Sequence, residues 1–337
     1  MNRRVWRRPY FFEIATIINL LIITALTNPL VLTSVMLTFG SFIPTLGGYA
    51  LTGVIVRAAV AWYRGELRAY VRILRSPGWL IDSARLIVFG ALMVHTYFWI
   101  KLVVPILHPT LYDQELWNMD QAMFFGFSPT VLFLNVFANG TVLKVIDWSY
   151  ARIFFVSMSV AFMFFLSSPS RRLRAAFSNG NTILWLAGAW LYMFLPSLGP
   201  AFRFPDVWLP FAYGLDITQH FQAFLIKNYQ AVRRLPFGGS IADVQLMLGI
   251  AAFPSLHVGF QMFAFLWMRR LWVYGEIVFG IFALVILIGS VVTGWHYLID
   301  GIAGILLAWL SYRTAAWMSR MDEWLRLRKA LHTKTVT

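Results

Sequence analysis

Residues 277–300 read IVFGIFALVILIGSVVTGWHYLID. The first part of this stretch, to Val292, carries no charged side chain and suits a helix that crosses a lipid bilayer. The last part holds His296 and, four positions later, Asp300. Ionisable side chains at membrane depth are costly to bury and indicate a functional site. The stretch therefore predicts both a membrane fold and the place where the chemistry happens.

The composition of the whole chain also favours a membrane fold. Of the 337 residues, 59% are hydrophobic and 12% are charged, whereas roughly a quarter of a soluble domain is charged. We predict an all-α polytopic membrane protein with about eight transmembrane helices. Pro29 could kink or split the first span, and no small-residue cleavage site follows it, so we expect an anchor and not a removed signal. The predicted spans cover about 11–38, 46–63, 84–107, 142–167, 182–198, 247–268, 272–294 and 297–318.

The distribution of basic residues predicts the orientation. The net charge is +14, and the Arg and Lys residues cluster between apolar runs, as in loops that face the cytoplasm. With eight spans and a cytoplasmic N-terminus, every strong Arg cluster lies inside: residues 3–8, 64–75, 171–174, 269–270 and 320–329. Both termini are then cytoplasmic, in the inner or plasma membrane if the protein is bacterial. No nucleic-acid motif accompanies the charge, so we expect no nucleic-acid partner.

The same topology divides the chain and locates its motifs. We expect two N-terminal transmembrane helices and a basic amphipathic segment over 1–80, a catalytic membrane core over 81–320 and a cytoplasmic basic tail over 321–337. The start of the sixth span and the start of the eighth both fall on the outer side. Residues 254–257 and 296–300, which lie at these starts, should therefore meet at one face. The chain has no cysteine, which excludes disulfides and thiolate chemistry.

The spacing of His296 and Asp300 indicates a nucleophile and its partner. Residues four apart lie on one helix face, and a carboxylate beside one ring nitrogen fixes the tautomer and raises the basicity of the other. His296 could then attack an electrophile. A structural His–Asp pair that holds two helices together would have the same spacing.

Pro254-Ser255-Leu256-His257 has the features of an anion site at a helix start. Proline suits the first turn of a helix, and Ser255 with the free backbone N–H groups there can bind a phosphate. His257 would point into the same site and protonate a leaving alkoxide. A lone buried histidine bonded to a neighbour is the plainer alternative, but the second motif on the same face favours catalysis.

These motifs resemble the type 2 phosphatidic acid phosphatase superfamily, from about Lys101 to the end of the eighth span. Phe253–Val258 and Thr293–Asp300 look closer to its inositol phosphorylceramide synthase-like branch. Shorter pieces that also resemble the branch are Tyr112-Asp113, Leu116, Asp120, Phe125-Gly126 and Leu198-Gly199-Pro200-Ala201-Phe202. The resemblance implies a six-helix core and a phosphohistidine intermediate formed without metal or other cofactor. By position, His296 would be the nucleophile, Asp300 its orienting carboxylate, His257 the general acid and then base, and Ser255 a phosphate ligand.

The chain departs from the family pattern in its cations. Gly289 and Ser290 stand where the third motif has Ser-Arg, so one phosphate-binding Arg is missing. The first motif of the family is a Lys and an Arg separated by six residues, with Pro directly after the Arg. Lys227 and Arg234 have this spacing, but Leu235 stands between Arg234 and Pro236. A phosphoryl transition state needs such donors. We expect at least two of Lys101, Arg203, Lys227 and Arg234 to serve, although each could be a solvated or headgroup-contacting cation.

The motifs predict a membrane phosphotransferase at the outer face, and the resemblance implies that it works without a metal. It would move a phosphate-containing headgroup from a lipid donor in the membrane to a second lipid or another alcohol. Lipid phosphate hydrolysis uses the same mechanism with water as acceptor. A proton-coupled transporter would instead require ionisable residues near the bilayer midplane and internal repeats, neither of which is evident. A degenerate, non-catalytic scaffold is the remaining alternative.

Overall fold

The computed structural model describes residues 9–27 and 29–334, with side chains described for 9–27, 39–211 and 213–321. Within these ranges the secondary structure is helical, joined by turns and short 3-10 segments. The predicted all-α fold is confirmed. The α-helices are α1 (Phe11–Leu26), α2 (Pro29–Tyr63), α3 (Leu67–Leu74), α4 (Pro77–Leu107), α5 (Asp113–Met123), α6 (Pro129–Val136), α7 (Gly140–Leu166), α8 (Arg171–Phe194), α9 (Pro200–Arg203), α10 (Asp216–Arg234), α11 (Leu256–Met268), α12 (Gly275–Val292) and α13 (Leu298–Lys334).

The eight predicted spans fall on eight of these helices, α1, α2, α4, α7, α8, α11, α12 and α13, although not one to one. Five are long and apolar enough to cross a membrane: α2 over Phe39–Tyr63, α4, α7, α12, and α13 over Leu298–Met321. Helices α1 and α11 are apolar but shorter, and α8 begins with the basic residues Arg171, Arg172 and Arg174. The structure is therefore that of an integral membrane protein, with span lengths that differ more than predicted.

Several predicted boundaries were wrong, for identifiable reasons. The first predicted span is split near Pro29, which was expected as a possible break: Thr27 is extended and ends α1, and Pro29 begins α2, a favoured place for proline. Helix α2 then continues to Tyr63, through the whole of the second predicted span. The sixth span begins only after Ser255, because that serine caps α11. The basic cluster at 3–8 lies outside the described residues. The cluster at 326–329 lies in α13, beyond the residues whose side chains are described.

Helix α11 is the centre of the bundle and packs against α7, α8, α12 and α13. Its crossing with α13 is close because both helices place a glycine there. A Cβ on Gly304 would lie 2.3 Å from the Ser255 carbonyl oxygen, and one on Gly259 would lie 3.1 Å from the Gly304 carbonyl oxygen. Small residues allow membrane helices to approach in this way. The crossing brings the start of α13 beside the start of α11.

The bundle has a charged end opposite those two helix starts. Arg85 pairs with Glu13 at 2.5 Å and Arg171 pairs with Asp82 at 2.8 Å, which ties the beginnings of α1, α4 and α8 together. Nearby, α3 docks on the far end of α7 through Tyr70, whose hydroxyl donates to the Ser167 carbonyl at 3.2 Å. Helices of alternating direction thus separate a basic, ion-paired end from the end that carries the histidine motifs.

Candidate active site

His257 lies in the first turn of α11, at the position that the sequence predicts. Ser255 caps the helix by accepting a hydrogen bond from the Val258 N–H at 3.4 Å. The Ser255 N–H donates to the Asp300 carbonyl at 2.9 Å, which joins the two motifs through the backbone. The His257 ring packs against Phe154 of α7, with ring centroids 4.2 Å apart.

His296 lies in the tight connection between α12 and α13. The Ser290 carbonyl accepts from the Trp295 and His296 N–H groups, each at 3.1 Å. Gly294 makes the turn possible, because its φ is +75° and a Cβ there would lie 2.5 Å from the Ala201 Cβ. The turn places His296 immediately before the first residues of α13, where it is 4% exposed.

The two imidazoles meet in one cavity, as the predicted topology requires. Their ring centroids are 6.1 Å apart, and both rings line a cavity of about 540 Å³. At this separation both rings border the same part of the cavity. One imidazole can therefore face a reacting centre as nucleophile while the other faces it as acid.

The proton on His296 is placed by a backbone carbonyl. The His296 Nδ1 atom lies 2.9 Å from the Ala252 carbonyl oxygen, an acceptor only, so Nδ1 carries the proton and the Nε2 lone pair is free. Burial lowers the pKa of His296 to about 3, although the Ala252 bond opposes this effect. The ring is therefore neutral at physiological pH, as a nucleophile must be.

Asp300 is close to His296 but is not its nearest acceptor. The Asp300 Oδ2 atom lies 3.4 Å from the His296 Nδ1 and accepts the Tyr297 N–H at 2.9 Å. Asp300 is fully buried. The four-residue spacing correctly predicts that the His296 and Asp300 side chains lie close together. The contact with the Ala252 carbonyl could not be predicted in this way, because every residue has a backbone carbonyl.

Asp120 holds the start of α13 from outside the helix. Its two carboxylate oxygens accept from the Leu298 and Ile299 N–H groups, each at 2.8 Å. These are donors that a helix N-terminus leaves unpaired. Burial raises the pKa of Asp120 to about 6, and the two N–H groups oppose the rise. The sequence singled out Asp120 only as part of a resemblance, and its capping role was missed because the helix that it caps is remote in sequence.

The cations predicted to bind phosphate occupy different places. Lys101 of α4 lines the cavity with both histidines, and its Nζ lies 5.5 Å from the centroid of the Tyr192 ring. Arg203, Lys227 and Arg234 are exposed and do not line the cavity. Their role in phosphate binding remains a prediction. Ser255 is fully buried, and its hydroxyl is engaged in the cap of α11.

The rest of the cavity wall is mainly apolar and aromatic. It runs from the histidines past α4, α7 and α8 to α10, which contacts both α4 and α7. Such a wall accommodates hydrocarbon, with a few polar groups at one end. Its large side chains are Tyr97, Phe98, Tyr150, Phe154, Phe155, Trp185, Tyr192, Phe221, Leu225 and Trp295. Within the described residues, no group of three or more His, Asp or Glu side chains is arranged to hold a metal ion.

Comparison with known proteins gives one family. The family model described as the PAP2 superfamily matches residues 114–314, which includes both histidine motifs and Asp120. Searches of curated proteins and of solved structures found no match.

Proposed function

The chain belongs to the PAP2 superfamily, and from this premise we propose that it is a membrane phosphotransferase with a histidine nucleophile. Members of the superfamily carry out phosphatase and phosphotransferase chemistry. The proposed reaction moves a phosphate-containing headgroup from a lipid donor to an alcohol acceptor at the outer face of the membrane. The observation that carries the proposal is the pair of imidazoles, with ring centroids 6.1 Å apart, on the wall of one largely apolar cavity.

The first half of the reaction forms a phosphohistidine. The lone pair of the His296 Nε2 attacks phosphorus while the bond from phosphorus to the leaving oxygen breaks. His257, in its protonated form, transfers its proton to that oxygen, so the first product leaves as a neutral alcohol. Lys101 lines the same cavity, and its ammonium would offset the negative charge that grows on the phosphoryl oxygens.

The second half regenerates the enzyme. His257, now neutral, removes the proton from the acceptor hydroxyl as the acceptor oxygen attacks phosphorus. The bond between phosphorus and Nε2 breaks, and its electron pair returns to His296. With an alcohol as acceptor the product is a new phosphoester, and with water it is free phosphate or a free headgroup phosphate.

Transfer to an alcohol is the outcome that we favour. The apolar, aromatic wall beside the histidines suits a second lipid better than a column of water. The resemblance of residues 253–258 and 293–300 to the inositol phosphorylceramide synthase-like branch points the same way, towards a phospholipid donor and a sphingolipid-like acceptor. Hydrolysis remains the rival for the same site.

The location of the ionisable groups argues against a transporter. His257, His296 and Asp120 all lie at helix starts or in short helices at one end of the bundle. A proton relay would need such groups along a path through the membrane. A protein that only transports protons, with no catalytic step, would give no reason for the two histidines to line one cavity.

The purified protein in detergent micelles, given radiolabelled or isotope-labelled lipid phosphates with candidate alcohols, tests the proposal. We expect mass spectrometry to detect a new phosphodiester lipid, unaffected by EDTA, and to detect none with His296→Gln. The exposed His220 provides the matched control, because His220→Gln changes the same residue type away from the motifs. Free phosphate or a free headgroup phosphate as the sole product would establish hydrolysis. Full turnover by His296→Gln would refute the histidine mechanism, and inhibition by EDTA would refute metal independence.

A further inference from the structure

Resting on the proposed function, we infer that Asp113 is a positioning residue for the nucleophile, which it holds through the Tyr297 hydroxyl and through the loop at Ser197. Asp113 begins α5 and lies outside the segment that the family model matches. It is 1% exposed and does not line the cavity. It therefore acts on the reaction only through the groups that it contacts.

The first route from Asp113 to His296 is one side chain long. The Tyr297 hydroxyl donates to the Asp113 Oδ1 at 2.9 Å. Tyr297 is fully buried and directly follows His296, so this bond fixes the backbone on which the imidazole is mounted. The Tyr297 N–H donates to the Asp300 Oδ2, which restrains the same residue from its other side.

The second route passes through two loops. Asp113 accepts from the Leu198 N–H at 3.0 Å and from the Gly199 N–H at 2.9 Å. The adjacent Ser197 accepts at its carbonyl from the Ala252 N–H at 2.9 Å and at its hydroxyl from the Phe253 N–H at 3.1 Å. Asp113 thereby fixes the segment whose Ala252 carbonyl accepts the hydrogen bond from the His296 Nδ1–H.

A carboxylate suits this junction because every group that converges on it is a donor. Two backbone N–H groups and one hydroxyl point at the Asp113 oxygens. The Oδ1 atom accepts from all three donors, and Oδ2 accepts a second bond from the Leu198 N–H. An asparagine would lose the negative charge that strengthens these bonds and would turn its NH₂ group towards the Leu198 N–H. Weaker bonds at Asp113 would let the His296 ring leave its productive orientation. A small displacement of a reacting group lowers the rate strongly.

Two variants test the inference in the full-length protein. Tyr297→Phe removes one hydroxyl and leaves the two loop bonds in place, whereas Asp113→Asn disturbs both routes. For Tyr297→Phe we expect kcat to fall about tenfold, and for Asp113→Asn about a hundredfold or more, with KM for the lipid donor little changed. Phosphohistidine formation in a single turnover should slow by the same factors.

Tyr70→Phe is the matched control, because it removes a buried tyrosine hydroxyl bonded to a carbonyl at the opposite end of the bundle. The thermal midpoint of each variant shows whether the fold survives. A Tyr297→Phe variant with the stability of Tyr70→Phe but a wild-type kcat would overturn the inference, as would a change confined to KM. If the wild-type protein itself forms no phosphohistidine, the proposed function fails first.

Discussion

The reactivity of His296 depends on which ring nitrogen carries the proton. The Ala252 carbonyl accepts a hydrogen bond from Nδ1–H, so Nε2 is the nucleophile in the proposed mechanism. Asp300, whose Oδ2 lies 3.4 Å from the same nitrogen, stabilises the ring in the proposed mechanism when the ring becomes cationic in the phosphorylated state. The neutral ground state and the supported cationic state are both needed, because the imidazole gains charge as it attacks.

The pH dependence follows from the lowered pKa of His296, about 3. An ordinary histidine, with a pKa near 6.5, loses its neutral form progressively below that pH. We expect His296 to stay neutral down to about pH 5, so kcat for a phosphodiester donor should not fall on the acid side of neutrality. The rate should instead decline as pH rises, because His257 must carry a proton. Initial rates measured as a function of pH test this prediction. A tenfold fall in kcat per pH unit below about 6.5 would contradict a neutral, buried nucleophile.

Lys101 should carry the phosphate-binding function of the missing motif Arg. Lys101→Met keeps the apolar stem and removes the charge, so we expect kcat/KM to fall about a hundredfold. Lys144→Met, an exposed position on α7 away from the cavity wall, is the control. Wild-type kcat/KM in Lys101→Met would assign the role to other cations, and Arg203→Gln, Lys227→Met and Arg234→Gln would then identify them.

At the residue scale the sequence predicted which motif side chains lie together better than it predicted the groups that support them. His257, His296 and Asp300 lie together because short motifs carry their own spacing, and the topology placed both motifs at one face. The supports at Ala252 and Asp120 were missed because they act across long sequence separations, one of them through a backbone atom. Hydrogen bonds of this kind leave no local pattern in a single sequence.

At the element scale, the crossing of α11 and α13 sets the distance between the two motifs. The approach at Gly304 is close enough for the two helix starts to share the Ser255 to Asp300 backbone bond. Sequence periodicity identified both helices, yet it gave α11 an early start, because apolar residues before Pro254 continue the hydrophobic run without being helical. Caps and prolines, more than hydropathy, decide where these helices begin.

Gly304→Ala should therefore damage the protein where an ordinary helix glycine would not. The new Cβ would lie 2.3 Å from the Ser255 carbonyl oxygen, so α13 must move away from α11, at a cost of about 1–3 kcal/mol. We expect a lower thermal midpoint and a loss of turnover. Gly280→Ala in α12 is the control, since its nearest neighbour would be at 3.6 Å. Equal stability and activity of the two variants would show that the crossing tolerates a wider separation.

At the scale of the whole molecule, the bundle has two chemically different ends. The ion pairs of Arg85 and Arg171 and the exposed arginines around α3 lie at one end, and the cavity lies towards the other. We interpret the basic end as cytoplasmic, because positive residues are retained on that side of a membrane. The lipid substrate would then be handled at the outer leaflet.

The absence of cysteine makes this orientation directly measurable. A membrane-impermeant maleimide can label single-cysteine variants in intact cells. Suitable exposed positions at the two ends are Arg68→Cys in α3 and Phe237→Cys after α10. We expect Phe237→Cys to react from outside and Arg68→Cys to react only after the membrane is opened. The reverse pattern would place the cavity on the cytoplasmic side and would contradict the predicted topology.

The central claim is that His296 becomes covalently phosphorylated. Its most direct measurement is a rapid-quench experiment with a phosphorus-labelled donor, followed by peptide mass spectrometry under alkaline conditions that preserve phosphohistidine. We predict a label on residue 296 that forms and decays within one turnover and is absent in His296→Gln. Steady turnover by the wild-type protein with no label at His296, or with the label on another residue, would contradict the mechanism.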